Sequence, residues 1–149
     1  MGKKGFTLIE LVFVVLLLGV LAVLARPLVN MGRWPLETAA RKLASDMREA
    51  RAAAIGCGQT CTLTFYEFGG RYRLDLPSGS SYSTLPEGIC FAANNFPLDG
   101  ESRRPTLYFR YTGAPNRGGH VALRDKAGRK RYIIVTPVTG RVRISEKPP

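Results

Sequence analysis

Phe6-Thr-Leu-Ile-Glu10 leads straight into an unbroken apolar run, Leu11 to Ala25. Phe6 to Ala25 makes 20 residues, the length at which a helix crosses a hydrocarbon core of about 30 Å. Lys3 and Lys4 precede the run, and a positive flank places the N-terminus on the cytoplasmic side. Glu10 is the anomaly. An unpaired carboxylate in hydrocarbon costs at least about 3 kcal/mol, so a chain that keeps one there has a partner for it. A plain anchor, or a secretory signal cut after Ala25, fits the length of the run. Neither fits a charged leader this short or an acid inside the apolar segment.

Beyond the run, Pro27 is placed to kink or end the first helix. A break follows over residues 30–34, and Pro35 falls at the first turn of a second helix, where its missing N–H costs nothing. Leu36, Ala39/Ala40, Leu43, Met47 and Ala50/Ala54 recur at helical spacing. Arg41, Lys42, Asp46, Arg48, Glu49 and Arg51 fall off that stripe. Leu36 to Ile55 is therefore an amphipathic helix with one face for a core.

After Gly56 the period changes from 3.6 to 2. Cys61, Leu63 and Phe65 alternate with Thr62, Thr64 and Tyr66; Gly69-Gly70 turns the chain; Tyr72, Leu74 and Leu76 alternate on the return. Ser78 to Thr84 reads as a polar loop, Ile89 to Ala92 as a short strand, and Ala93 to Pro105 as a long loop. Thr106–Tyr111, a strand around Val121 and Leu123, Ile133–Val135 and Arg141–Ile144 complete about seven strands. Long helix and short strands together predict an α+β fold: a long N-terminal helix, transmembrane in its first half and amphipathic in its second, packed on an antiparallel β-sandwich or two-sheet domain.

The chain has 149 residues and a net charge of +11. Residues 6–100 are balanced, whereas residues 101–149 hold twelve Lys/Arg against three Asp/Glu. That asymmetry points to an anionic partner for the C-terminal third, or to a basic solvated face without one. Cys57, Cys61 and Cys90 follow the membrane-length run, in a compartment that permits disulfides. One bridge is expected, and Cys61–Cys90 or Cys57–Cys61 would serve; spacing does not choose between them. With a single histidine, His120, and no zinc spacing, no metal site or cofactor is expected. No nucleophile–base pair has a recognisable setting, so the reading is of a non-enzyme.

The residues Gly5-Phe-Thr-Leu-Ile-Glu10 closely resemble the class III signal of type IV pilins and type II secretion pseudopilins. The resemblance implies cleavage after Gly5 by a prepilin peptidase and N-methylation of Phe6. It also implies that Glu10 pairs with the N-terminal amine of a neighbouring subunit. The full layout is similar to the GspH/FimT group of minor pilins and pseudopilins. It shares the helix ending Arg51-Ala-Ala-Ala-Ile55, the segment Leu85-Pro-Glu-Gly-Ile89, and the close over residues 128–144. The implied organisation is a leader at 1–5, an assembly helix at 6–28, an amphipathic helix at 29–55 and a β-rich domain at 56–149. The implied partners are other major and minor pilins or pseudopilins, in a filament rooted in the inner membrane. Pilus and secretion pseudopilus remain alternatives.

Arg141 and Arg143 lie two apart on a strand and so share a face about 6–7 Å apart. Such a guanidinium pair suits phosphate oxygens. Arg129 and Arg131 repeat the spacing one strand earlier, so the four, with Lys130 and Arg124, are expected to form one basic platform, and Tyr132 or Tyr111 could add stacking. Gly140-Arg-Val-Arg143 also matches the Gly-Arg-x-Arg of FimT-like minor pilins, which are associated with DNA uptake. By that resemblance Arg141 and Arg143 would contact the phosphates of double-stranded DNA, without regard to sequence.

Overall fold

The computed structural model describes residues 7–25 and 34–149, with side chains over 7–21 and 34–149. Gly5, Phe6, Pro27 and residues 30–33 of the expected break lie outside the described residues. The chain divides into two units, Met1–Gly32 and Arg33–Pro149.

In the first unit, α1 spans Leu8–Ala25. Its described side chains are apolar on every side apart from Glu10, and they are exposed all round. A helix without a polar face has to be covered by lipid or protein. Among the described residues no helix is long and apolar enough to cross a membrane; the 18 residues of α1 rise about 27 Å.

In the second unit, α2 spans Trp34–Cys57. Pro35 and Glu37 occupy its first turn, where proline is tolerated and an acid meets the positive end of the dipole. Gly58, at φ +66°, adopts the left-handed conformation that commonly stops a helix. Eight strands follow: β1 Cys61–Tyr66, β2 Arg71–Leu76, β3 Gly79–Thr84, β4 Cys90–Asn94, β5 Thr106–Phe109, β6 Gly119–Arg124, β7 Lys130–Val135 and β8 Val142–Ser145. They form two antiparallel sheets, ordered β3-β2-β1-β5 and β4-β6-β7-β8. The helix packs on strands of both sheets. Its contact face is mostly alanine (Ala39, Ala40, Ala44, Ala50 and Ala54, with Leu43 and Met47), and small side chains let the helix backbone come close to both sheets. Phe65 of β1 meets Phe91 of β4 edge-on at 5.9 Å and stacks on Phe96 at 5.9 Å, which ties the sheets together.

The structure corrects three expectations. Ser78–Thr84 is not a loop, since Gly79–Thr84 is an edge strand in register with all six residues of β2. Its side chains are nearly all exposed, so it has no apolar alternation to betray it. The expected disulfide is absent: Cys57, Cys61 and Cys90 are free thiols, and Cys61 and Cys90 belong to different sheets. Burial pushes the Cys61 thiol up, with Cys57 adding to the shift. Asp46, read as part of the polar face of the helix, is buried.

Asp46 is tolerated there because both carboxylate oxygens have donors. Tyr72 donates to Oδ2 at 2.5 Å, and Lys42 Nζ reaches Oδ1 at 2.5 Å. Burial, and next the Asp46 carboxylate, hold the Tyr72 phenol well above its usual range. The hydroxyl therefore stays protonated and available as the donor. Tyr72→Phe would leave a buried carboxylate oxygen without its donor. Urea unfolding should show a loss of about 1–3 kcal/mol; an unchanged midpoint would mean that Asp46 gains nothing from the phenol.

Candidate functional site

Glu10 sits at the third position of α1. Its backbone N–H bonds Thr7 Oγ1 at 3.4 Å and the Thr7 carbonyl at 3.1 Å. Thr7-x-x-Glu10 is thus half of a capping box, with the threonine as helix cap. The Glu10 side chain is exposed and stands in the first turn, at the positive end of the helix dipole. Its carboxylate is open to an approaching cation.

The basic residues of the C-terminal third are sorted by strand parity. In the second sheet Arg124 stands directly opposite Lys130, Ala122 opposite Tyr132, and His120 opposite Ile134. On the far side of β7, Ile134 is opposite Arg143 and Tyr132 opposite Ser145. Thr136 N–H donates to the Arg141 carbonyl at 2.9 Å, continuing the ladder to Arg141. Side chains two apart share a face. Arg124, Lys130, Arg143 and Arg141 therefore share the outward face, and Val121, Leu123, Ile133, Val135 and Val142 fill the inward one. The rings of Tyr132 and His120, 5.9 Å apart, lie between the two basic ends. Arg124, Lys130, Arg141 and Arg143 are all exposed, and none has an ion-pair partner among the described residues.

Arg129 and Arg131 do not join them. Odd-numbered in β7 or just before it, they fall on the other face and meet carboxylates. Arg129 Nε bonds Asp125 Oδ2 at 2.6 Å. Arg131 bonds Glu37 of α2 through Nε at 3.0 Å and Glu146 at 2.7 Å. The expected four-arginine platform is thus replaced by Arg141 and Arg143 with Lys130 and Arg124. Tyr132 shares that surface, whereas Tyr111 follows β5 of the other sheet.

The glycine before Arg141 is set by the backbone. Gly140 has φ +63°, and a Cβ there would run into the Gly113 carbonyl and the side chain of Arg51. Gly140 N–H closes the turn onto the Thr136 carbonyl at 3.0 Å. Two arginines of α2 meet this corner: Arg51 Nε donates to the Gly113 carbonyl at 3.2 Å, and Arg48 Nη2 to the Val142 carbonyl at 3.2 Å. Arg48 pins the edge strand β8, and Arg51 pins the loop beside it. No periodicity in the sequence announced either hydrogen bond.

Two stretches of the chain have counterparts in known proteins. The prokaryotic N-terminal methylation motif matches residues 1–25. The family pattern of type II transport protein GspH matches residues 39–140, more than half of the chain, and stops just before Arg141. The pilin-like protein PilA1 of Thermus thermophilus is 38% identical over 97 residues, which is 64% of this chain and 62% of the relative. The chain thus spans less than two thirds of that relative. The minor pseudopilin EpsH from the type 2 secretion system of Vibrio cholerae superposes with a TM-score of 0.57 at 13% identity, over 74% of this chain and 95% of that one. The type IV minor pilin FimU of Pseudomonas aeruginosa gives 0.57 at 16% identity, over 76% and 90%. At such identities the two structures speak for the fold.

Glu37 offers a pH test of the packing between α2 and β7. Hydrogen bonds from Arg41 first, then from Arg131, hold its carboxyl below the usual 4.5. A folded-state value below the unfolded one adds stability above the unfolded value, and the gain disappears as pH falls through the folded value. Glu37→Gln should therefore lower the melting temperature at pH 7 and make little difference near pH 3. An equal deficit at both would assign the effect to packing.

Proposed function

The chain belongs to the GspH family of type II transport proteins, and from that premise we propose that it is a minor pilin or pseudopilin. It enters a type IV pilus-like filament at or near the tip and presents a basic face to double-stranded DNA. The observation that carries the DNA reading is the outward face of the second sheet, where Arg124, Lys130, Arg141 and Arg143 stand without an acidic partner among the described residues. Four exposed cations on one face suit a run of phosphates, with affinity that is independent of sequence and falls with salt. Arg129 and Arg131 have no part in it, because their charges are taken up by Asp125, Glu37 and Glu146.

Assembly rests on the other end of the chain. Prepilin peptidase cleaves after Gly5, Phe6 is methylated, and the new ammonium of one subunit pairs with Glu10 of the next. The exposed position of Glu10 in the first turn supports this role, and so does an apolar helix that needs lipid or neighbouring helices around it. Before assembly the helix lodges in the inner membrane, with the β-rich unit on the periplasmic side. The role is structural and binding, with no catalytic step.

Two outcomes follow. Full-length protein in detergent, titrated with duplex DNA across a salt series, should bind with a steep salt slope. In Arg141→Ala/Arg143→Ala the slope should become shallower by roughly 0.9 for each phosphate that is no longer neutralised. If the variant and its parent bind alike, the basic face has no DNA role, and a secretion pseudopilus subunit acting in assembly alone becomes the better reading. Glu10→Ala should abolish recovery of the subunit in sheared filaments while leaving its membrane level unchanged. Normal incorporation would remove the assembly role given to Glu10.

A further inference from the structure

The outer face of the first sheet carries a second basic and aromatic cluster that this reading does not use. Tyr66 of β1 is flanked by Arg71 of β2 and by Arg104, which precedes β5. Their guanidinium carbons stand 5.4 Å and 4.2 Å from the centroid of its ring. Arg71 also lies 5.7 Å from the ring of Tyr82 in β3, and the two tyrosine rings are 6.0 Å apart. Arg104 is held in place by its backbone: its carbonyl accepts Asp99 N–H at 2.9 Å, and Leu98 pairs with Pro105.

Among the described residues neither Arg71 nor Arg104 has a carboxylate partner. The contrast with Arg73 is local. It lies two residues along the same face, and Asp75 takes its charge at 2.9 Å. Two guanidiniums beside one ring repel each other, and among the described residues neither forms an ion pair; Glu67, on the wall of the adjoining groove, does not come within ion-pair distance of either. A groove of about 540 Å³ runs beside them, with Phe68 and Leu98 on its walls. Phe68 is as exposed as a side chain can be, at 109% relative accessibility, and contributes nothing to the core.

Unpaired guanidiniums call for an anion, and a bare ring beside them calls for a flat apolar group. A nucleotide strand supplies both at each residue, a phosphate and a base face. The bases must be unpaired to reach Phe68, because a duplex hides their faces in its stack. An acidic peptide would supply the charge without the ring. We propose that Tyr66, Phe68, Arg71, Tyr82 and Arg104 form a binding site for single-stranded nucleic acid, with phosphates on the two arginines and a base stacked on Phe68. The site lies on the first sheet and does not depend on Arg141 or Arg143.

The test uses the full chain in detergent and a labelled oligothymidylate of about 15 nucleotides, near the upper site size of a single-strand-binding domain. Anisotropy should show binding at low salt. Arg71→Ala/Arg104→Ala should weaken it at least about tenfold by removing both cations from the phosphates, and Phe68→Ala at least about fivefold by removing the stacking ring. Arg141→Ala/Arg143→Ala should leave it within about twofold, since those arginines stand on the other sheet and touch no phosphate of this strand. Since Phe68 is exposed, Phe68→Trp should fold normally, and its emission should be quenched by the oligonucleotide. No binding at low salt, or equal affinity of the parent and Arg71→Ala/Arg104→Ala, would overturn the proposal. Polyglutamate bound as tightly as oligothymidylate would overturn it too, because the site would then read charge alone. Loss of oligothymidylate binding only in Arg141→Ala/Arg143→Ala would move the binding to the second sheet, sinking this site while leaving the duplex-binding face intact.

Discussion

The β-rich unit depends on one interaction, the alanine face of α2 laid against both sheets. Ala40, Ala44, Ala50 and Ala54 have no accessible surface, and Leu43 and Met47 fill the spaces between them. Larger side chains along this face would push the helix off the strands and open voids at the fully buried Leu63, Leu107 and Ile133. Because both sheets bury one face under the helix and the aromatic cluster around Phe65, each has a single face left for solvent. Those two outward faces are the parts of the sheets open to other molecules.

The same packing admits a charge and makes it useful. Asp46 lies on the buried side of α2, which would be costly for a lone carboxylate. Tyr72 and Lys42 supply its hydrogen bonds, so the pair holds the helix to β2 at one relative setting. Arg131 does the corresponding work at the other sheet, bridging Glu37 of α2 and Glu146 near the C-terminus. Arg48 and Arg51 add bonds to the backbone of the edge strand and its neighbouring loop. Much of the chain's positive charge is thus structural. The charge that remains for a ligand is the part without acids, on the outward faces.

Gly140 shows how a short motif can carry two meanings. The turn from Thr136 to Gly140 needs a left-handed residue without a side chain, because Gly113 and Arg51 press against it. The two arginines that follow are free of that demand. The glycine is explained by the backbone and the arginines are not, so any ligand role rests on the arginines alone.

Much of this was legible in the chain. The switch from helical spacing in Leu36–Ile55 to alternation from Cys61 onward determined the α+β class, and the turn at Gly69-Gly70 fell where its chemistry put it. These signals are local, since propensity and periodicity act over a few residues. The apolar run with its single acid, Glu10, was equally plain. What required the tertiary structure was everything that depends on which segment lies beside which. The strand Gly79–Thr84 exists because β2 offers it an edge, and no hydrophobic pattern records that. Asp46 is buried because Tyr72 waits 26 residues away in sequence. Arg129 and Arg131 looked like partners of Arg141 and Arg143 by spacing. The register of β7 against β8 put the two pairs on opposite faces, and the carboxylates of Asp125, Glu37 and Glu146 then claimed the first. Sequence alone determined most of the elements and the net charge; pairing register decided which charges were left for a ligand, because a shift of one residue along a strand turns a side chain to the other face.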